Sequence, residues 1–193
     1  MSNFSTFSER KAAEAAAFLL LRGGGKLDLL KVMKLMYLAE RVSFKKYGES
    51  ITGDSFVSMR HGPVLSGTYD LTGGYSDARS GGWWKRLVSD RAGYQIEINP
   101  DAGISNPDED LLGLSDADVD CLETVWTNFG HLDKWELVDY THEHCPEWVD
   151  PGNSSRPIPV SRLLKALGFG EAQVHAIDRH IHEQRYLNNA LSV

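Results

Sequence analysis

The sequence predicts a mainly α-helical (α+β) fold: a single-domain helical bundle around one central buried helix, with a small antiparallel sheet. Between residues 27 and 47 the apolar residues fall on more than one helical face, which indicates a helix packed from several sides. Short segments of alternating apolar residues at about 55–60 and 83–98 are typical of strands. No linker-like stretch divides the 193 residues, so we expect one domain over 1–193.

Two helices and a glycine turn are predicted for the first quarter of the chain. Ser8 can cap a helix that runs to about residue 22, and the glycines at 23–25 end it. These glycines lack the preceding strand and the following Gly-Lys-Ser/Thr of a phosphate loop, so they indicate a turn between helices. The central helix should end at Gly48, because glycine accepts the left-handed conformation that terminates helices.

The middle of the chain predicts the small sheet. A turn at 51–54 precedes a strand at 55–59, Gly62-Pro63 ends that strand, and a helix follows at 64–71. Residues 83–87 and 94–98 predict a β-hairpin that joins the same sheet. Adjacent residues on a strand point to opposite faces, so either Trp83 or Trp84 should be available as an exposed aromatic anchor for a partner.

Four helices are predicted after a loop at 99–110. Ser115 with Asp118, and Asp133 with Glu136, have the spacing of capping boxes, and Pro146 ends the second of these helices. We expect the core to receive Val119, Leu122, Trp126 and Phe129 from the first helix and Trp135, Val138 and Cys145 from the second. Two further helices follow a Pro-containing segment, at 161–167 and 171–188, the last with Val174, Ile177 and Ile181 facing inward.

Negative charge is concentrated in one quarter of the sequence. Residues 101–150 hold 14 acidic residues and one basic residue, a net charge of −13, which leaves +6 for the rest of a chain of net charge −7. The pattern predicts either solvated helix faces or a surface for a basic partner protein, and it argues against direct nucleic-acid binding by this segment. The carboxylates on the predicted exposed faces are Asp116, Asp120, Glu123, Glu136, Asp139 and Glu143.

The sequence favours a cytoplasmic protein without a membrane segment. No apolar run approaches the roughly 20 residues that a membrane helix needs. Acidic residues flank or interrupt the apolar stretch at 12–21, and no convincing cleavage site follows, so it is not a typical signal peptide. Cys121 and Cys145 both lie in predicted helices, which suits free, buried thiols in a reducing compartment.

No established catalytic, cofactor or metal motif is present. The second histidine position of a His-Glu-x-x-His motif that starts at His142 is occupied by Pro146, and His142 and His144 are two residues apart, so they point in different directions. The histidines at 175, 180 and 182 also lack the four-residue spacing, although another element could complete a site. Asp54 and His61 could form the acid/base pair of a small hydrolase or transferase. The alternatives that we favour are an Asx turn and a core or capping contact.

Several segments together resemble the signature of the Panacea domain, the SocA-like antitoxin family. They are KLMYLAE at 34–40, Tyr47-Gly48, ITGDSF at 51–56, GPV at 62–64, Tyr69-Asp70, Leu114-Ser115, Phe129-Gly130, LVDYTH at 137–142 and PEW at 146–148. The resemblance covers about residues 12–148, and residues 149–193 form a helical C-terminal extension.

The resemblance implies a non-enzymatic antitoxin, encoded beside a toxin in bacteria or phages, that neutralises this toxin by direct contact. An adaptor that delivers a bound partner to a protease is an alternative within the same fold. No separate DNA-binding module is recognised, and the oligomeric state stays open, a homodimer included. We expect the motif residues mainly to shape the fold: Lys34, Leu35, Tyr37, Gly53, Asp54, Phe56, His61, Gly62, Pro63, Thr141, His142, Pro146 and Trp148.

Overall fold

The computed structural model describes residues 7–74, 82–89 and 92–191. It is mainly α-helical with small antiparallel sheets, as the sequence predicts. The helices are α1 (Glu9–Arg22), α2 (Leu29–Tyr47), α3 (Ser66–Thr72), α4 (Trp83–Leu87), α5 (Pro107–Asp110), α6 (Asp116–Phe129), α7 (Lys134–His144), α8 (Val160–Ala166) and α9 (Glu171–Leu191). The strands are β1 (Lys26–Asp28), β2 (Phe56–Met59), β3 (Gly62–Leu65), β4 (Gln95–Glu97) and β5 (Arg156–Ile158), and Pro100–Ala102 forms a 3-10 turn.

Helix α2 is the buried centre of the fold. Every residue from Val32 to Glu40, Leu35 among them, is buried, and α1, α6 and α7 pack around the helix. Phe56 of β2 meets the rings of Tyr37 and Phe44 edge-on, at centroid distances of 5.8 and 6.1 Å. The helix ends at Gly48, which has a φ of 72° and donates its N–H to the Phe44 carbonyl. The predicted centre and C-terminus of this helix are therefore confirmed.

The predicted helix starts are also confirmed. The Ser8 hydroxyl accepts from the Lys11 N–H at the start of α1. Both capping boxes form, Ser115 with Asp118 for α6 and Asp133 with Glu136 for α7. Because these caps join residues only three positions apart, the sequence contains all the information they need.

The predicted hairpin at 83–98 is wrong in its first arm and in the sheet that it joins, although isolated antiparallel bridges link Val88 to Ile98 and Ala92 to Gln95. Residues 83–87 form helix α4, and β4 pairs instead with β1, with Leu27 opposite Ile96. Trp84 and Leu87 are three residues apart and both buried, so both can face inward from a short helix, whereas on a strand they would point to opposite faces. A carboxylate from α1 decides between the two, because Glu9 accepts the Trp84 N–H at 2.9 Å. Without the structure, this long-range acceptor could not be foreseen.

The second sheet has the order β3-β2-β5, all antiparallel. Two predictions are wrong here: Gly62-Pro63 begins β3 where we expected a strand to end and a helix to begin near 64, and the Pro-containing segment at 151–159 contributes β5. Proline is acceptable at position 63 because β3 is an edge strand, whose outer N–H groups need no partner.

The core faces of the later helices follow the prediction only in part. Cys121, Leu122 and Val125 of α6 are buried, whereas Val119, Trp126 and Phe129 are half-buried. Trp135, in the first turn of α7, is 52% exposed, so the prediction that it faces the core is wrong. Val174 is buried and Ile177 and Ile181 pack against the core, as predicted. Both cysteines are buried free thiols.

Among the described residues, no helix is both long and apolar enough to cross a bilayer.

Glu40 holds the loop that follows α2. Its buried carboxylate accepts hydrogen bonds from the Ser50 hydroxyl, the Ile51 N–H and both the N–H and hydroxyl of Thr52, at 2.6 to 3.0 Å. Burial raises the pKa of Glu40, and these hydrogen bonds oppose the shift. The carboxylate thus substitutes for the acceptors that the loop backbone would otherwise find in water.

Replacing Glu40 with Ala should lower the free energy of unfolding by about 3 kcal/mol, since several buried donors lose their common acceptor. Urea denaturation of both proteins at neutral pH measures the change. Glu109→Ala is the matched control, because Glu109 is exposed on α5. Equal destabilisation by the two substitutions would contradict the structural role of Glu40.

Candidate functional site

The motif residues from distant parts of the sequence meet in one buried polar cluster. Lys34, Tyr37 and Arg41 are spaced at three- and four-residue steps, so they share one face of α2. This face lies against the β2–β3 hairpin and the end of α7. We call the group of contacting residues the motif cluster; it comprises Lys34, Tyr37, Arg41, Gly62, Thr141, His142, Glu147 and Trp148.

Glu147 connects two α2 side chains to the segment after α7. Its Oε1 accepts from the Tyr37 hydroxyl at 2.5 Å and from the Arg41 guanidinium, and the side chain is fully buried. Burial, followed by the charge of Glu147, raises the pKa of Tyr37 well above its usual value. Tyr37 therefore stays a neutral hydrogen-bond donor at physiological pH.

Lys34 is a buried amine without a carboxylate partner in the described part of the chain. Its Nζ donates to the Pro63 carbonyl at 2.8 Å. Burial lowers the pKa of Lys34 to about 7. Gly62 lies next to the amine and has a φ of 95°. A Cβ at this position would lie 2.7 Å from Thr141 Oγ1 and 3.0 Å from Lys34 Nζ. Glycine is therefore required by both the backbone and the space.

Trp148 joins the end of α7 to the hairpin. Its indole N–H donates to the Met59 carbonyl at 2.9 Å, and its ring stacks on His142 at 3.9 Å. Burial, followed by the charge of Lys34, lowers the pKa of His142. His144 stacks instead on Tyr140. Within the described ranges, no group of three His, Cys, Asp or Glu side chains is arranged to hold a metal ion.

A cleft of about 440 Å³ opens directly above the motif cluster. It lies between the N-terminal half of α2, the β2–β3 hairpin and the first turn of α7. Trp135, Tyr94 and Tyr69 surround it, and the Trp135 ring meets His61 edge-on at 5.5 Å. The remaining lining residues are Asp28, Leu29, Leu30, Met33, Lys34, Met59, Arg60, Gly62, Val64 and Lys134.

Asp54 and His61 have separate partners. The Asp54 carboxylate accepts from the N–H groups of Ser55, Gly67 and Thr68 and from the Thr68 hydroxyl, so it caps the first turn of α3. Burial raises the pKa of Asp54, against the effect of these hydrogen bonds. His61 is exposed beside Trp135, so the core or capping contact expected for it is wrong. The adjoining Gly53 has the positive φ of 68° that its turn requires.

The predicted partner-binding carboxylates divide into two sets. Asp120 pairs with Lys46 at 2.7 Å, Glu123 pairs with Arg22 at 2.9 Å, and Glu136 caps α7 through the Asp133 N–H. The other three, Asp116, Asp139 and Glu143, are exposed and form no ion pair with a described residue.

The tryptophans predicted as an anchor do not form one. Trp84 is buried. Trp83 is half-buried, and the guanidinium groups of Arg10 and Arg86 each lie 4.6 Å from its ring. Sequence reasoning missed the aromatic residues that do reach solvent at the cleft, Trp135, Tyr94 and Tyr69. No sequence signal pointed to Trp135, because it stands three residues before Val138 and so shares the predicted inner face.

A family model supplies the decisive comparison. The model described as "Antitoxin SocA-like, Panacea domain" matches residues 32–149, which is more than half of the chain. The chain belongs to this family. No curated protein and no solved structure matches it. The matched part of this SocA-like chain contains the complete motif cluster and the loop held by Glu40.

The Lys34 amine should make stability depend on pH. Its pKa is about 7 in the folded protein against an ordinary value of 10.5, so above pH 7 the unfolded chain binds more protons than the folded chain. Relative to a Lys34→Met variant, wild-type stability should rise by about 1–2 kcal/mol between about pH 7 and about pH 8.5. Below about pH 7 the amine is protonated in both states, so the difference should level off.

Urea denaturation of the two proteins across this range measures the effect. Taking the difference between them cancels the other titrating groups, the two buried cysteines included. A difference that stays constant with pH would show that Lys34 is not desolvated as described.

Proposed function

We propose that the chain is an antitoxin that neutralises its cognate toxin by binding it directly. The observation that carries this proposal is the match of residues 32–149 to the SocA-like antitoxin family. The side chains considered for catalysis support it: three of the four donors to Asp54 belong to the start of α3, while His61 packs against Trp135. We place the activity in the cytoplasm, with a toxin protein as the partner and no direct contact to nucleic acid.

The exposed carboxylates of α7 are the part of the acidic surface best suited to such a partner. Glu136, Asp139 and Glu143 occur at three- and four-residue steps, so they form one stripe along the helix. Asp120 and Glu123 already have cationic partners within the chain, so a toxin would have to displace Lys46 and Arg22 to reach them. A toxin with a basic surface would meet uncompensated negative charge on α7, which speeds association.

Co-expression with the product of the adjacent gene tests the proposal. The tagged chain should restore growth against that product and should co-purify with it as a stoichiometric complex. Absence of both effects would refute the antitoxin function. The half-life of the toxin separates the two modes of action, because simple neutralisation leaves it unchanged or longer, whereas a proteolytic adaptor shortens it.

Reversing two carboxylates of the α7 stripe should slow the formation of this complex. The double variant Asp139→Lys/Glu143→Lys is expected to lower the association rate about tenfold at low salt and to weaken its salt dependence. Stopped-flow or surface-based kinetics measure both quantities. The double variant Asp101→Lys/Glu109→Lys is the control, since it changes the net charge equally at exposed positions elsewhere. Equal association rates for the two variants would show that α7 is not part of the interface.

A further inference from the structure

The cleft above the motif cluster carries positive charge on a protein whose net charge is −7. Four of its lining residues are charged: Lys34, Arg60, Lys134 and Asp28. Asp28 and Lys134 form an ion pair at 2.9 Å. This leaves Arg60 at the mouth as the permanently charged group, because the Lys34 amine is buried beneath the floor, donates to the Pro63 carbonyl and has a pKa of about 7. The Arg60 guanidinium makes no hydrogen bond or ion pair to any residue that the structure describes. The charge complement of the cleft is therefore an anionic group.

The surface around the cleft has the composition of a protein-binding hot spot. Trp135 is 52% exposed and Tyr94 is 76% exposed, and Met33 and Met59 line the same cleft. Tryptophan, tyrosine and arginine dominate the energetically important positions of interfaces, and methionine adapts its shape to an incoming side chain. Large aromatic rings that remain in water on an otherwise well-packed domain indicate a surface that a partner covers.

The size and the electrostatics of the cleft specify what can occupy it. A helix about 10 Å across would fill 440 Å³ within about one turn, so the cleft admits individual side chains and not a secondary-structure element. A phosphate group would meet the N-terminus of α7 close by, but its N–H groups at Trp135 and Glu136 are already bound by the Asp133 carboxylate. A singly charged carboxylate beside an apolar side chain fits better than a phosphorylated ligand.

We propose that the cleft is the anchor site for the toxin: an apolar side chain of the toxin enters beside Trp135, and an acidic residue next to it on the toxin pairs with Arg60. This inference rests on the proposed antitoxin function. Trp135 and Asp139 are one helical turn apart on α7, so a toxin bound across the α7 stripe reaches the cleft without further rearrangement. The toxin surface would then present basic groups to the stripe and one carboxylate to the cleft.

Affinity measurements on cleft variants test the anchor. Trp135→Ala and Arg60→Glu should each raise the Kd for the product of the adjacent gene at least about tenfold. Tyr186→Ala and Arg162→Glu are the matched controls, one an exposed tyrosine on α9 and the other an exposed arginine on α8, and they should change the Kd less than about twofold. Both cleft positions are exposed, so the fold should tolerate the substitutions, and thermal denaturation checks this.

Photo-cross-linking supplies a second measurement that does not depend on weakening the complex. The cross-linker p-benzoylphenylalanine, placed in turn at positions 94 and 186, should capture the toxin from position 94 only. If both cleft variants bound the toxin with the Kd of the wild-type chain, or if no toxin were captured from position 94, the anchor site would be overturned and the antitoxin function would stand. Failure of the wild-type chain to bind the gene product at all would instead refute the proposed function itself.

Discussion

The fold depends on the burial of polar side chains on its central helix. Lys34, Tyr37 and Glu40 of α2 are almost completely inaccessible to water, and each is bonded to a group that is distant in sequence. A buried polar group that loses its partner costs about 1–3 kcal/mol, and a buried charge costs more. The helix can therefore occupy the core only when the 50–52 loop, the β2–β3 hairpin and the end of α7 are all in place. Hydrophobic burial makes the domain compact, and these bonds decide which segments meet.

This constraint explains why the family signature resembles an active site. It is rich in residues that are used in catalysis, yet Asp54 and Glu40 hold backbone N–H groups, and Gly62 makes room for Lys34 and Thr141. These contacts lie in the buried interior of the domain, beneath its exposed surface. The cleft lies where the two meet, because its floor is made by the motif cluster and its rim by the exposed residues Trp135, Tyr94 and Arg60.

The charge asymmetry of the sequence is partly resolved within the molecule. Helix α6 packs against α1 and α2, so Lys11, Arg22 and Lys46 of the basic part pair with Asp118, Glu123 and Asp120 of the acidic part. Exposed pairs of this kind contribute little stability, but they leave less negative charge for an external partner. Among the carboxylates without an ion pair to a described residue, Glu136, Asp139 and Glu143 form the stripe on α7 next to the cleft that carries Arg60. A partner would thus meet two adjacent surfaces of opposite sign, which favours one orientation of binding.

The sequence alone determined what is local: the central helix, its end at Gly48, both capping boxes and the buried cysteines depend on neighbours a few residues away or on hydrophobic periodicity. It also indicated the family, because the short motifs along the chain together resemble the signature of that family. Only the tertiary structure decided the rest. Residues 83–87 are helical since Glu9 of α1 accepts the Trp84 N–H, and β4 pairs with β1 across some 70 residues of sequence. The cleft likewise exists only after three distant elements pack, and no periodicity within any one of them shows that they will enclose a space.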